Sequence, residues 1–145
     1  MKLGKYFTLE ELTVTNTELE NKPNSEQLNN LKLLVENVLD PVRELNGGPI
    51  TVNSGFRCKE VNSHKTINGS ATSQHLKGEA ADIESKDNAN IFSLIRKYCV
   101  FDQLIWEGGD DKQPAWVHVS YKRQGNRGEV LRVKVVNGKK TYIRI

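Results

Sequence analysis

Sulfur, histidine and long apolar runs are all scarce in this sequence. Its two cysteines, Cys58 and Cys99, are too few for a disulfide framework, and neither stands in a CxxC pair that would bind metal or run redox chemistry. Both read as free thiols. No stretch of about 18 uninterrupted apolar residues occurs, which leaves a membrane span without support. The opening MKLGKYFTLEEL carries lysines but lacks the apolar segment of a secretion signal, so synthesis in the cytoplasm is expected. No linker, internal repeat or low-complexity segment divides the chain. The composition is 37% hydrophobic and 27% charged over 145 residues, read as one domain, 1–145. A chain of this length buries roughly 70% of the surface it exposes when unfolded, so its core needs no covalent staple.

Charge of one sign is also nearly absent as an excess, 21 basic against 18 acidic residues, but the balance is uneven. From Lys122 onward stand Lys122, Arg123, Arg127, Arg132, Lys134, Lys139, Lys140 and Arg144 against the single acid Glu129. Such a face could attract nucleic acid or an acidic cell wall. A solvated strand face explains it equally well, because only Tyr121 and Tyr142 interleave as stacking aromatics; nucleic acid is not expected as a partner.

Thr8 with Glu11 fits a capping box opening a short helix, and Asn24 with Gln27 opens a longer one. There Leu28, Leu31, Leu34, Val35, Val38, Leu39, Val42 and Leu45 recur at helical spacing until Gly47-Gly48, with Pro41 expected to kink or split the helix. Ile50-Thr51-Val52 reads as a strand delivering Ser54-Gly55-Phe56-Arg57. Residues 58 to 78 read as a long loop with one helical turn near Lys59 to Asn62, and long loops often carry function. Ala80-Ala81-Asp82-Ile83 reads as a buried strand. Asp87 caps a helix with Ile91, Leu94, Ile95 and Tyr98 inward. Strands at Gln103 to Trp106 and Trp116 to Tyr121 come next, then a hairpin, 130–136 and 139–145, around Asn137-Gly138. The class is α+β, N-terminal helices packed on a mainly antiparallel sheet.

With three histidines in the chain, each can be weighed singly. His75 begins HLKGEAAD, which puts Asp82 seven residues later across a glycine turn. His118 lies in WVHVSY, where period 2 sets Trp116, His118 and Ser120 on the face opposite Val117, Val119 and Tyr121. Two imidazoles and a carboxylate from separate segments are the ligand set of a catalytic zinc with a position left open for water. Spacing alone does not bring the two histidines together, and a lone strand histidine is more often a core or surface residue.

Ser73-Gln74-His75-Leu76-Lys77-Gly78-Glu79-Ala80-Ala81-Asp82-Ile83, preceded by Ser54-Gly55-Phe56-Arg57 and followed by Trp116-Val117-His118-Val119-Ser120, resembles the zinc D-Ala-D-Ala carboxypeptidase family. Its relatives include vancomycin-resistance dipeptidases and phage L-Ala-D-Glu peptidase endolysins. The SxHxxGxAxD motif is specific, and the resemblance covers roughly residues 5 to 125. It implies the hedgehog-like zinc D,D-peptidase fold and one Zn2+ held by His75, Asp82 and His118. It further implies Arg57 at the scissile carbonyl, with a structural ion pair as the plain alternative, and Ser73 and Gln74 toward substrate. The implied substrate is a peptidoglycan stem peptide, cut by a monomer acting at the cell wall after release, as a phage-type lysin does.

The sequence departs from the family at the acid three residues before the last histidine ligand, where Ala115 stands. Glu107, at a strand end, is the substitute expected as proton shuttle, with a structural role weighed evenly against it. Asp110 and Asp111 read as a hydrated loop tip. His64 falls outside the motif. Phe56, Trp106 and Trp116 could wall the cleft, though strand aromatics are more often core. Ala115 also leaves open a second class, a catalytically impaired zinc domain that binds cell-wall peptide or a protein partner.

Overall fold

Both capping boxes open helices in the computed structural model, which describes residues 1–145. The Glu11 N–H donates to Thr8 Oγ1 at 3.2 Å and the Thr8 N–H to Glu11 Oε1 at 3.1 Å, starting α1 (Leu9–Leu12). Asn24 and Gln27 exchange the same pair of bonds at 2.9 and 2.8 Å ahead of α2 (Ser25–Leu34). Pro41 does not split the helical rod that α2 begins. The chain widens into a π-helical stretch, Val35–Leu39, before α3 (Asp40–Asn46), which has Pro41 in its first turn. The wider winding relieves the clash between the proline ring and the carbonyl four residues back. Gly47, at φ +68°, then ends the rod in the left-handed conformation.

The helical turn expected near Lys59 is α4 (Lys59–Ser63), and α5 (Asn88–Tyr98) is capped by Asp87, whose carboxylate accepts from the Asn90 N–H at 3.1 Å. Its buried face is Ile91, Phe92 and Ile95. Tyr98 and Leu45, read from periodicity as inward, are exposed; each stands in the final turn of its helix, and Tyr98 carries the Lys97 ammonium over its ring at 5.4 Å instead.

Six strands, β1 (Thr51–Ser54), β2 (Ala80–Glu84), β3 (Gln103–Glu107), β4 (Trp116–Ser120), β5 (Glu129–Val136) and β6 (Lys139–Arg144), form one sheet in the order β1-β2-β4-β3-β5-β6. Every neighbouring pair is antiparallel except β3 and β5, which run parallel. The fold is therefore α+β with helices packed on a mixed sheet. Asn137 and Gly138, at φ +52° and +77°, supply the two left-handed residues that a tight hairpin needs between β5 and β6.

The pleat divides this sheet into two chemically different faces. Register places Ala81, Val119 and Leu104 in one row, and Ile83, Val117 and Trp106 in the next. Those residues meet Leu31, Leu34, Val35, Val38 and Leu39 of the helical rod and Ile91 and Ile95 of α5 in a continuous core. Fully burying a leucine contributes about 2 kcal/mol, so this face holds the helices down. The intervening positions, Asp82, His118 and Glu107 among them, look out on the opposite side.

Candidate metal centre

Asp82 and His118 are direct cross-strand partners on β2 and β4. Cross-strand partners share a face, so the alternation that buries Ala81 and Val119 necessarily sets this pair side by side on the other side. The His118 Nδ1 lies 2.9 Å from Asp82 Oδ1. His75 arrives from a short 3-10 turn, Gln74–Lys77, which Ser73 caps by accepting the His75 N–H at 3.2 Å and Gly78 closes at φ +75°. Its Nε2 stands 3.4 Å from Asp82 Oδ2.

The third segment is held by a glycine. A register shift in β1 between Val52 and Ser54 turns the chain toward Asp82. Gly55 then passes so near Leu12 that any Cβ would strike the Leu12 carbonyl. That approach lets the Phe56 N–H reach the same carbonyl at 2.8 Å, while Gly55 O accepts from His75 Nδ1 at 2.7 Å and the Arg57 N–H donates to His75 O at 3.0 Å. The glycine of SGFR thus fixes the ring of a histidine some twenty residues on.

The donor set suits a metal ion. One ligand atom from each of His75, Asp82 and His118 lies within 4.8 Å of the others. Around a tetrahedral ion with bonds near 2.0 Å, donor atoms sit about 3.3 Å apart, close to the 2.9 and 3.4 Å that separate Asp82 from the two imidazoles. His75, only 2% exposed, is driven toward its neutral form by burial, with Asp82 pulling the other way. Its Nδ1 proton is committed to Gly55, which leaves the Nε2 lone pair facing Asp82. Burial would raise the Asp82 carboxyl, but the two imidazoles against it, His118 with its 2.9 Å contact foremost, outweigh this and hold it ionised, well below the ordinary range.

The cluster opens into a cleft of about 690 Å3 whose walls include Arg57, Ser73, Gln74, Glu107 and Trp116. Arg57 Nε and Gln74 Oε1 are buried there without hydrogen-bond partners. Buried polar groups are normally paired, so two such atoms at one cleft mark where a polar ligand belongs. Burial weakens the Arg57 guanidinium's hold on its proton, Asp82 strengthens it, and the group stays charged. Its Nη2 reaches Ser73 Oγ at 3.5 Å, so Ser73 both caps the turn and faces the cleft. Glu107 shares the sheet face of His118, one strand over. Burial pushes its carboxyl up and Asp82 adds to this, while His118, Lys140 and a hydrogen bond from Trp116 oppose it.

Other candidates lie elsewhere. Trp106 stacks edge-on against Phe92 at 5.3 Å on the helical face, and Phe56 is core; of the three aromatics weighed for the cleft, Trp116 alone lines it. Asp110 accepts from the Lys112 and Gln113 N–H groups at 2.8 and 2.9 Å, and Asp111 pairs with Arg132 at 2.7 Å. His64 is bonded to Thr66 at 2.8 Å, outside the cluster.

Sequence reasoning missed Asp102, wholly buried at the mouth of β3. It accepts from the Arg127 backbone N–H at 3.0 Å, from Arg127 Nε and Nη2 at 3.0 and 2.8 Å, and from Gln74 Nε2 at 3.1 Å. Through Gln74 it steadies the turn that carries His75. Asp102→Ala is expected to cost about 3 kcal/mol, the lower end for a broken buried pair because Arg127 is half exposed and can turn to water. Burial raises the Asp102 carboxyl but the Arg127 bonds win and lower it below 3.8. Its stabilisation is therefore full above about pH 4 and lost as pH falls through the lower folded value. Urea melts of the variant and parent between pH 7 and pH 2 should converge toward the acid end.

Compared with known families, residues 5–120 match the model of one described as Peptidase M15. No curated protein matches the chain.

Proposed function

The chain belongs to the Peptidase M15 family and is a metallopeptidase, and from that premise we propose that it hydrolyses peptidoglycan stem peptides, as a D-Ala-D-Ala carboxypeptidase or an L-Ala-D-Glu endopeptidase, with one zinc ion held by His75, Asp82 and His118. The observation that carries this reading is the cluster itself, a neutral buried imidazole, an ionised carboxylate and a second imidazole opening on one cleft. We also read helices on one sheet face and the cluster on the other as the hedgehog-like zinc D,D-peptidase fold. The proposed place of action is the cell wall, where the substrate is.

A zinc ion bound here would acidify a coordinated water to a pKa of about 7 and polarise the scissile carbonyl. The rest falls to the chain's own side chains. Glu107 takes a proton from the attacking water and returns it to the leaving amine, so that water and an amide become an acid and an amine. Its raised carboxyl suits a base that must also give the proton back. Arg57, with Nε unpartnered, faces the negative charge that grows on the carbonyl oxygen. Ser73 and Gln74 hold the peptide backbone from the turn beside His75.

The base does not need position 115. Ala115 precedes β4, is exposed, and donates its N–H to the Glu107 carbonyl at 2.9 Å, so Glu107, which lines the cleft, is the carboxylate at hand beside it. A domain that binds without cutting, the second reading, has Ala115 alone behind it.

The test is mass spectrometry of defined stem peptides incubated with zinc-loaded protein beside a chelator-treated control. A metal-dependent product is expected, and its mass names the bond. No product across stem peptides of several wall types would favour the binding domain.

A further inference from the structure

The family match ends at residue 120, yet the hairpin beyond it reaches the cleft. Leu131 of β5 and Lys140 and Tyr142 of β6 line the same cavity as the metal cluster. Pleat and register explain how. His118, Ile105 and Leu131 form one row across β4, β3 and β5, and Glu107, Val133 and Tyr142 form the next across β3, β5 and β6. With strands about 4.8 Å apart, Leu131 stands about 10 Å from His118, and Tyr142 about 10 Å from Glu107. An extended peptide covers that distance in about three residues. Ile105 and Leu131 make the floor apolar, and Lys140 is the cation at its far side. The hairpin's arginines differ from it: Arg132 is paired with Asp111 at 2.7 Å and Arg144 with Glu129 at 3.0 Å, whereas no acid pairs with Lys140.

We propose that the C-terminal hairpin is a specificity wall of this cleft, in which Lys140 and the Tyr142 hydroxyl receive a free carboxylate of the peptide about three residues from the bond cut, its aliphatic part lying on Leu131. The proposal rests on the chain being a stem-peptide hydrolase. A compact ammonium beside a hydroxyl at the edge of an apolar floor recognises an anionic group carried on a short apolar stem, and rejects its amide by losing a charge-assisted bond.

The experiment uses the full chain, zinc-loaded, with a cleavable stem peptide prepared with that carboxylate free or amidated. The parent should favour the free acid about tenfold in kcat/KM, expressed in KM. Lys140→Met should bring that ratio near one, and Tyr142→Phe should lower it in part. Both side chains are exposed, and unchanged melting temperatures check that the variants fold. A parent ratio near one, or a ratio that Lys140→Met leaves intact, overturns the proposal. So does an equal loss on both peptides with a shifted acid limb of the pH profile, which would make Lys140 a partner of Glu107 instead. If the protein cuts no peptide the peptidase reading fails, and calorimetric titration of the same two peptides still decides the hairpin. Tighter binding of the free acid that Lys140→Met abolishes supports the wall, and equal affinities overturn it.

Discussion

His75→Ala is expected to weaken zinc binding by more than about a hundredfold and to abolish metal-dependent peptide hydrolysis. Loss of an outer-shell partner alone commonly costs about 10–100-fold in metal affinity, and His75 is proposed as a direct ligand. Its ring is also the link between three segments, since Nδ1 is tied to Gly55 and Nε2 faces Asp82. His118→Ala should behave alike, because the other oxygen of Asp82 then loses its partner. Metal content after dialysis, measured beside circular dichroism, checks both. Cooperative unfolding with little zinc is the expected result, and stoichiometric zinc retained in both variants would remove the ligand assignment.

Glu107→Gln is expected to leave zinc in place and to lower kcat by about a hundredfold to ten-thousandfold, the usual contribution of a positioned proton shuttle. Glutamine keeps the shape and cannot accept the proton. Burial raises the parent carboxyl above its ordinary value, so the acid limb of the parent's activity should be shifted upward, with activity falling as pH drops through it. That limb should vanish from the residual activity of the variant. The same raised value means that the fold disfavours the ionised form, so the variant should unfold no earlier than the parent at neutral pH, the familiar opposition of stability and activity. Ala115→Asp supplies the control. An acid at that position should give no gain in the parent, because Glu107 already lines the cleft as the base. A gain would move the base to position 115 and Glu107 to a structural role.

What the sequence discloses and what it hides divide along the range of the interactions. The boxes at Thr8 and Asn24 and the turn at Asn137-Gly138 are set by neighbours within three residues, and they are legible. Period 2 in Trp116-Val117-His118-Val119 discloses which face His118 shares, and the motif discloses His75 and Asp82. Nothing local says that β5 lies parallel to β3, outside β4 and two strands from His118. For that reason Lys140 and Tyr142, which share a face by simple alternation, read from sequence only as part of a basic tail. The 3-10 turn under His75 is too short for a period to reveal it. Apolar residues on both faces of Leu104-Ile105-Trp106 conceal that Trp106 belongs to the core and Ile105 to the cleft. Pro41 shows the converse: its effect is legible, but the choice between a broken helix and a widened turn depends on the tertiary packing of Val35, Val38 and Leu39.

The most direct test of one metal ion at His75, Asp82 and His118 driving peptide hydrolysis is a titration of metal-free protein with zinc, following bound metal and peptide cleavage in the same samples. Both should rise together and break at one equivalent, with neither appearing in His75→Ala. Full cleavage by the metal-free protein, or cleavage that ignores the first equivalent, would contradict a metal-driven hydrolysis at this cluster.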